Sequence, residues 1–307
     1  MKHFVNLNDV TLKNLRKILL DAKIRKKNRK GLNTLVADRD KPLNGKLLIQ
    51  IFEKSSLRTR VSFYISVKQL GGDVLTLRSN EIHLGKNDET FSDTARTIGT
   101  YADIFLLRST NHKKILSLSK YLKIPLINGL SPDCHPVQIL SDIYTIEEIK
   151  KKNISNLKIS WIGDSNNVLN SLIEASNKFS FKLNIACPKD YKPSQEILKI
   201  SKKNYVKIFH NPYQAISGAD VVYIDKFISI NDRVNKKAKI KKFKNFVLNK
   251  KLMLKANNRA IILHCLPRGK EIEDQLFKSK QSKVWQQAEN RIHVQKSIIL
   301  YCLDKLR

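Results

Sequence analysis

Short apolar runs alternate with longer amphipathic stretches along the whole chain. Near the start, apolar residues recur at every third or fourth position from Leu12 to Ala22. This spacing predicts a helix over Leu12–Arg29, with Gly31 as its stop. The apolar run Lys46–Phe52 then predicts a buried strand, followed by another helix. Such alternation is typical of βαβ units, in which a helix connects two parallel strands.

The alternation continues as far as a long helix, Pro136 to about Lys152, whose charged end we interpret as a domain junction. Before this junction we expect a helix up to Gln69, further strands at Val74–Leu77, Ile104–Leu107 and Pro125–Ile127, and helices at Asp93–Ala102 and Lys113–Lys123. After it we expect strands at Lys158–Ile162, Lys182–Ala186, Val206–Phe209, Val221–Ile224 and Ala260–His264, helices from Asn167 and Ser194, and a last helix over Gln286–Leu306.

These elements predict an α/β fold of two domains, each a mainly parallel sheet flanked by helices, joined by two interdomain helices. We expect a first domain over residues 1–150, a second over 151–285, and a C-terminal helix, 286–307, packing back across the domains. A chain of 307 residues is long enough for two domains of ordinary size. In open sheets of this kind, ligands bind beyond the carboxyl ends of the strands. The residues after each strand are therefore the candidates for function.

Composition argues against several classes of protein. No apolar run approaches the roughly 20 residues that a membrane-spanning helix needs. The amino-terminal segment lacks the apolar core and the cleavage site of a signal peptide. The four cysteines are far apart and show no metal-binding spacing. We therefore expect a cytoplasmic protein without a membrane partner, a disulfide framework or a structural zinc site.

The formal net charge of +31 is the unusual feature of the composition. On its own it suggests nucleic acid, an anionic membrane or an anionic substrate as a partner. The lysines are dispersed, however, and the densest run, Lys236–Lys242, falls on an expected exposed helix or loop. Aromatic residues, which stack on nucleic-acid bases, make up only 7% of the chain. We interpret the charge as solvated surface and expect no nucleic-acid partner.

The first strand is followed by Glu53 and by the segment Lys54–Arg60, which leads into a helix. Hydroxyl groups, arginines and the main-chain N–H groups of a helix start can together bind an anion. The alternative is an ordinary serine cap with solvated arginines. The segment is not a Walker loop, because the glycines of that motif are missing.

Other strand ends also carry candidate chemistry. His135 and Gln138 lie at the start of the helix that follows Pro125–Ile127, although a lone histidine is more often structural. In the second half, a carboxylate, Asp225, and a thiol, Cys265, follow two strands and are suited to an amine substrate. A single glycine after the first strand of that half argues against a dinucleotide site.

Six segments occur in one order along the chain: FEKSSLRTR, HLGKNDET with DTAR, HPVQ, WIGDSNN, HCLPR and AENR. Each is weak alone, but the ordered set over residues 8–303 resembles the ornithine carbamoyltransferases. The resemblance implies transfer of a carbamoyl group from carbamoyl phosphate to the side-chain amine of L-ornithine, giving L-citrulline and phosphate in arginine biosynthesis. It implies no metal and no organic cofactor. It also implies homotrimers, or multiples of trimers, with active sites at subunit boundaries.

Positions that match the family motifs take the roles that the resemblance implies. The carbamoyl phosphate contacts would be Ser56, Leu57, Arg58, Thr59, His83, Arg108, His135, Gln138, Cys265, Leu266 and Arg291. Of these, His83 would reach into the neighbouring subunit's site. The ornithine contacts would be Asn167, Asp225, Ser229 and Ile230. The catalytic residues would be Arg58 and His135, beside the carbamoyl phosphate, with Asp225 and Cys265 beside the amine.

Three features depart from the family pattern. Leu57 stands where threonine is frequent, Ile230 and Asn231 stand where methionine and glycine are usual, and Lys226 stands where threonine or valine is common. The alternative activity is that of a sister carbamoyltransferase that uses N-acylornithine or putrescine, which the intact HCLPR segment disfavours. An aspartate-specific relative would lack the HCLPR cysteine. A catalytically silent homologue would have lost catalytic positions that are kept here.

Overall fold

The computed structural model describes residues 2–78, 89–201, 204–228 and 235–306. The chain divides into two compact units, one of Met1–Ser141 with Glu289–Arg307 and one of Asp142–Ala288. Three residues with expected roles, His83, Ser229 and Ile230, lie outside the described residues. No helix in the described ranges is both long and apolar enough to cross a membrane.

The first unit contains a parallel sheet in which the described strands have the order β2-β1-β3-β4. Its elements are α1 (Leu12–Asn28), β1 (Leu47–Phe52), α2 (Leu57–Gln69), β2 (Asp73–Arg78), α3 (Phe91–Tyr101), β3 (Ile104–Arg108), α4 (His112–Tyr121), β4 (Leu126–Leu130) and the start of α5 (Pro136–Lys150). Phe4 adds a parallel bridge to Ile127 of β4. Because every pairing is parallel, the carboxyl ends of these strands meet at one edge of the sheet.

The second unit contains another parallel sheet, with its described strands in the order β7-β6-β5-β8-β9. Its elements are β5 (Lys158–Ile162), α6 (Asn167–Phe179), β6 (Lys182–Ala186), α7 (Gln195–Ile200), β7 (Val206–Phe209), α8 (Pro212–Ile216), β8 (Val221–Ile224), α9 (Lys236–Lys242), α10 (Lys250–Met253), β9 (Ile261–Leu263), α11 (Asp274–Phe277) and the start of α12 (Val284–Cys302). The order reverses beside β5, and at such a point ligands bind beyond the strand ends.

Each unit buries its own apolar core. In the first unit, side chains of the strands pack against α3 and α4, with Phe105, Leu107 and Ile115 fully buried. In the second unit, Phe227 stacks on Phe243 with ring centroids 4.8 Å apart. Burial of a side chain of this size stabilises the fold by about 1.5–3 kcal/mol, so the cores fix the strands whose ends carry the candidate site.

The predicted α/β fold, with two parallel sheets flanked by helices, is confirmed. Three local predictions were wrong, and one of them is the last helix, which was expected over Gln286–Leu306 but spans Val284–Cys302. The strand expected to end at Ile127 continues to Leu130, because β3 and β4 shift register after Leu107 and Arg108 then pairs with Leu130. The run Lys236–Lys242 is helical but not wholly solvated, because the ammonium of Lys239 is buried against the carboxylate of Asp164.

A buried ionic cluster joins three segments of the first unit around the carboxylate of Asp38. Its Oδ1 atom accepts from Arg29 at 2.9 Å, and its Oδ2 atom accepts from Lys296 at 3.0 Å and from Arg25 at 3.1 Å. Lys296 is fully buried on α12, and burial lowers its pKa to about 8 in spite of Asp38. Asp38 therefore anchors α1 and α12 with one carboxylate.

We expect Asp38→Asn to lower the free energy of unfolding by about 3 kcal/mol at pH 7, because it removes the carboxylate that pairs with buried Arg29 and Lys296. Burial alone would raise the pKa of Asp38, but Lys296, Arg29 and Arg25 hold it below its usual value. The stabilisation is therefore complete above pH about 4 and disappears as the pH falls through the lowered pKa. Urea unfolding at several pH values measures the difference.

The matched control is Asp73→Asn, because Asp73 pairs with Lys68 while its side chain is 79% exposed. We expect this change to cost less than about 0.5 kcal/mol. Equal losses in the two variants would contradict an anchoring role for Asp38.

Candidate active site

The carboxyl ends of β1 and β3 come together at the start of α2. Ser56 occupies the N-cap position of α2, yet its hydroxyl makes no capping bond to that helix. The hydroxyl instead accepts from Nη1 of Arg108, the last residue of β3, at 3.1 Å. The alternative of an ordinary serine cap is therefore wrong. The main-chain N–H groups of the first turn of α2, which has no carboxylate of its own there, remain suited to an anion.

A buried arginine joins the starts of α2 and α5. Arg291 of α12 donates from Nη1 to Oε1 of Gln138 at 2.6 Å and from Nη2 to Oγ1 of Thr59 at 2.9 Å. The three side chains are almost wholly buried. This arrangement brings together three residues that the sequence places far apart.

Glu53, the first residue after β1, fixes the turn that follows Arg108. Its carboxylate accepts from the hydroxyl of Ser109 at 2.9 Å, from the N–H of Thr110 at 2.6 Å and from Lys114 at 2.8 Å. Burial would raise the pKa of Glu53, but Lys114 and Thr110 outweigh burial and hold it below its usual value. Glu53 thus stays ionised and holds the Arg108 turn without adding a free negative charge to the anion site.

His135 is buried beside these cations. Burial, followed by Arg291, Arg108 and Arg58, lowers the pKa of His135 well below its usual value. The imidazole is therefore neutral at physiological pH, with one ring nitrogen as donor and the other as acceptor. Three arginines around a neutral ring form a site for an anion that also carries an uncharged polar group.

In the second unit, the ends of β5, β8 and β9 converge on one carboxylate. Asp225 accepts from Sγ of Cys265 at 3.0 Å through Oδ1 and from Nδ2 of Asn166 at 2.8 Å through Oδ2. Asn166 is also the N-cap of α6 and accepts from two main-chain N–H groups of that helix. Gly163, which precedes this turn, has a φ of +140°, a backbone conformation that favours glycine.

A histidine and a glutamate hold the loop after β9. His264 contacts Oε1 of Glu271 through Nε2 at 2.8 Å, and its Nδ1 accepts from the N–H of Leu266 at 2.8 Å. These partners assign the ring proton to Nε2. Burial would raise the pKa of Glu271, but His264 and the N–H of Gly269 hold it below its usual value. The pair fixes the main chain on both sides of Cys265.

The donor atoms of Asp225, His264 and Cys265 lie within 4.8 Å of one another, a spacing that a metal ion accepts. Both ring nitrogens of His264 are already engaged with Glu271 and Leu266. A metal on His264 would have to break one of those contacts. The geometry therefore favours a hydrogen-bonded amine site over a metal site here.

The expected site residues fall into two groups, one in each unit. In the first unit the structure pairs Ser56 with Arg108 and links Thr59, Gln138 and Arg291, and it sets His135 among the arginines. Leu57 and Arg58 occupy the first turn of α2, and Leu57 is 72% exposed. In the second unit Asp225 contacts Cys265, Asn167 is the first residue of α6, and Leu266 is half-buried.

Three contributors were missed. Asn166, which the predicted site did not include, donates a hydrogen bond to Asp225, and its N-cap position before a helix could have indicated a structural role. His264 was noticed only as part of the HCLPR segment, although it supports the loop. No local pattern marks Glu271, because its partner is brought to it by the fold.

The chain matches two family descriptions. Residues 2–148 match the carbamoyl-P binding domain of aspartate/ornithine carbamoyltransferases, and residues 155–302 match the Asp/Orn binding domain. An ornithine carbamoyltransferase from Agrobacterium fabrum is 40% identical over 306 residues, 98% of each chain. The solved ornithine carbamoyltransferase from Pyrococcus furiosus superposes with a TM-score of 0.92 at 35% identity, covering 100% of this chain and 98% of its own.

A second solved structure, the anabolic ornithine carbamoyltransferase from Campylobacter jejuni, gives a TM-score of 0.88 at 35% identity over 99% of this chain and 100% of its own. The fold and the two strand-end sites thus define a two-unit α/β transferase. The chain belongs to the aspartate/ornithine carbamoyltransferase family.

We expect Arg58→Ala to weaken the binding of inorganic phosphate by about 10- to 100-fold, because a charge-assisted hydrogen bond is worth roughly 1.5–3 kcal/mol. Isothermal titration calorimetry measures the affinity. Arg60→Ala is the control, since Arg60 lies two residues along the same helix and is exposed. A loss of the same size in both variants would mean that phosphate responds only to net charge.

Proposed function

We propose that this protein is an ornithine carbamoyltransferase, which transfers the carbamoyl group of carbamoyl phosphate to the side-chain amine of L-ornithine and releases L-citrulline and phosphate. The observation that carries the proposal is the pairing of two chemistries: an arginine-lined anion site in the first unit and a carboxylate–thiol pair in the second. The 40% identity to proteins named ornithine carbamoyltransferase favours ornithine over N-acylornithine or putrescine.

The first unit would bind carbamoyl phosphate. Its phosphate group fits the start of α2, where the N–H groups of Ser56 to Thr59 and the guanidinium of Arg58 are joined by Arg108. The carbamoyl oxygen then faces the neutral ring of His135, and the carbamoyl amide faces Gln138. As the amine attacks, negative charge builds on that oxygen, and each positioned donor stabilises it by roughly 3–4 kcal/mol.

The second unit would bind the amine. An alkylammonium has a pKa near 10, so ornithine must lose a side-chain proton before its nitrogen can attack the carbamoyl carbon. Asp225 and Cys265 would orient that amine and assist its deprotonation, with Leu266 beside them. A C–N bond then forms and the C–O bond to phosphate breaks. Phosphate leaves with the electron pair and takes the second proton, which the nitrogen must give up. Asn167, Ser229 and Ile230 would complete the ornithine contacts.

We assign carbamoyl phosphate binding to residues 1–150 and amine binding to residues 151–285, with 286–307 as the C-terminal segment that contains most of α12. The reaction would serve arginine biosynthesis in the cytoplasm, a reducing compartment that suits four free cysteines. No cofactor is needed for this chemistry.

We further propose a homotrimer or a multiple of trimers, with His83 completing the neighbour's site. One face of α2 supports an assembly, because Leu57, Val61 and Tyr64 are 72%, 43% and 41% exposed. Leu75 of the edge strand β2 is 46% exposed as well. Exposed apolar groups at helical spacing are typical of a covered interface.

We expect citrulline formation to be fastest with ornithine when ornithine, N-acetylornithine, putrescine and aspartate are offered in parallel. The KM for ornithine should fall as pH rises from about 7 toward 9, because only the neutral amine attacks. Asp225→Asn should raise that KM much more than the KM for carbamoyl phosphate. Asp190→Asn, at an exposed carboxylate of the same unit, is the control. A higher kcat/KM with another amine would overturn ornithine as the substrate while leaving carbamoyl transfer in place.

For the shared site, we expect mixed assemblies of His83→Ala and Arg58→Ala subunits to regain activity that neither variant has alone. A site formed by Arg58 of the first variant and His83 of the second contains both residues. Activity is compared with mixtures of differently tagged Arg58→Ala subunits, which cannot form an intact site. If assemblies shown by mass to be mixed stay inactive, the sites are not shared.

A further inference from the structure

The pairing of β8 with β9 ends before the reactive side chains begin. The last pair in the ladder is Tyr223 with Leu263. Asp225 lies two residues after Tyr223, and Cys265 lies two residues after Leu263. Strand pairing therefore does not hold the carboxylate and the thiol together, and some other contact must do so.

A buried hydrogen-bonded bridge lies at this position. Gln287 accepts from the main-chain N–H of His264 through Oε1 at 3.0 Å and donates from Nε2 to Oδ1 of Asp142 at 2.8 Å. The other carboxylate oxygen of Asp142 accepts from the hydroxyl of Tyr223 at 2.7 Å. All four residues are at most 1% exposed. The bridge thus ties the end of β8, through Tyr223, to the end of β9, through His264.

The chemistry of the bridge holds it in one arrangement. Burial, followed by Asp142, raises the pKa of Tyr223 well above its usual value, so the hydroxyl stays protonated and donates. The amide of Gln287 is oriented at both ends, by an N–H on its oxygen and by a carboxylate on its nitrogen. A flipped amide would set its oxygen against the carboxylate and leave a buried N–H without an acceptor.

We propose that Gln287 and Asp142 are positioning residues for the amine half of the reaction, because they hold the ends of β8 and β9 so that Cys265 Sγ stays 3.0 Å from Asp225 Oδ1. They act on β8 through the side chain of Tyr223 and on β9 through the main-chain N–H of His264. The effect of these residues on the reaction kinetics rests on the proposed carbamoyl transfer. Their effect on the position of the Cys265 thiol does not depend on that reaction.

The main test replaces the bridging amide by an apolar side chain of similar length, in Gln287→Met. We expect the KM for ornithine to rise by about 10-fold, while the KM for carbamoyl phosphate changes by less than about 2-fold. The matched control is Asn184→Leu. Asn184 is a buried amide of the same unit, 6% exposed, that donates to the carbonyl of Ala215 at 2.9 Å. This control should leave both KM values unchanged.

A second readout does not depend on turnover. Iodoacetamide alkylates accessible thiols, and Cys265 is half-buried whereas Cys134, Cys187 and Cys302 are buried. We expect Gln287→Met to speed alkylation of Cys265, located by peptide mapping, by about 3-fold or more, because the loosened strand ends expose the thiol. Tyr223→Phe, which removes one hydroxyl from the bridge, should act in the same direction with a smaller effect.

An unchanged alkylation rate in both bridge variants would overturn the proposal. So would equal increases in the KM of both substrates, since these would indicate general loosening. If Gln287→Met does not fold, Tyr223→Phe decides the question with the same readouts. If the wild-type chain does not carbamoylate ornithine, the proposed function fails, while the alkylation rates still decide whether the bridge holds the thiol.

Discussion

The site of the first unit depends on one buried imidazole held among three arginines. Burial first, and then the positive charge of Arg291, Arg108 and Arg58, lowers the pKa of His135 well below its usual value, so the ring is neutral near pH 7. Arg108 donates to the hydroxyl of Ser56, and Arg291 donates to the hydroxyl of Thr59 and to the amide oxygen of Gln138. Their positive charge favours an anionic ligand, and the neutral ring offers a directional hydrogen-bonding group.

The candidate site of the second unit has the opposite electrostatic character. It presents a carboxylate and a thiol in place of cations, which suits the amine that the proposed reaction must hold and deprotonate. These groups follow strands that are no longer paired at that point. Side-chain contacts replace the ladder: half-buried Asn166 holds Asp225 from one side, and buried His264 with Glu271 holds the loop that carries Cys265. The members lie on three segments, which follow β5, β8 and β9, so the fold must form before the site exists.

The sequence predicted the parts of this arrangement that local patterns encode. Apolar runs marked β5, β6, β7 and β8 to the residue, and strand ends then directed attention to Asp225 and Cys265. Patterns of this kind do not encode partners brought together by tertiary packing. Glu271 lies on a loop and Gln287 lies on a helix, and no sequence motif or periodic pattern indicates what either side chain does. Their roles are seen only in their contacts with His264. Lys239 was misjudged for the same reason, since its partner Asp164 is 75 residues away.

The neutrality of His135 is the claim that joins the arginines, the burial and the proposed chemistry, and nitrogen NMR of labelled histidine tests it directly. The ring signals are assigned by their loss in His135→Asn and are followed as pH falls from about 8 to about 5, a range that spans the ordinary histidine pKa near 6.5. We expect His135 to keep the two distinct nitrogen shifts of a neutral ring throughout. A titration with a midpoint near 6.5 would contradict the account, because a charged ring among three arginines is not the site described here.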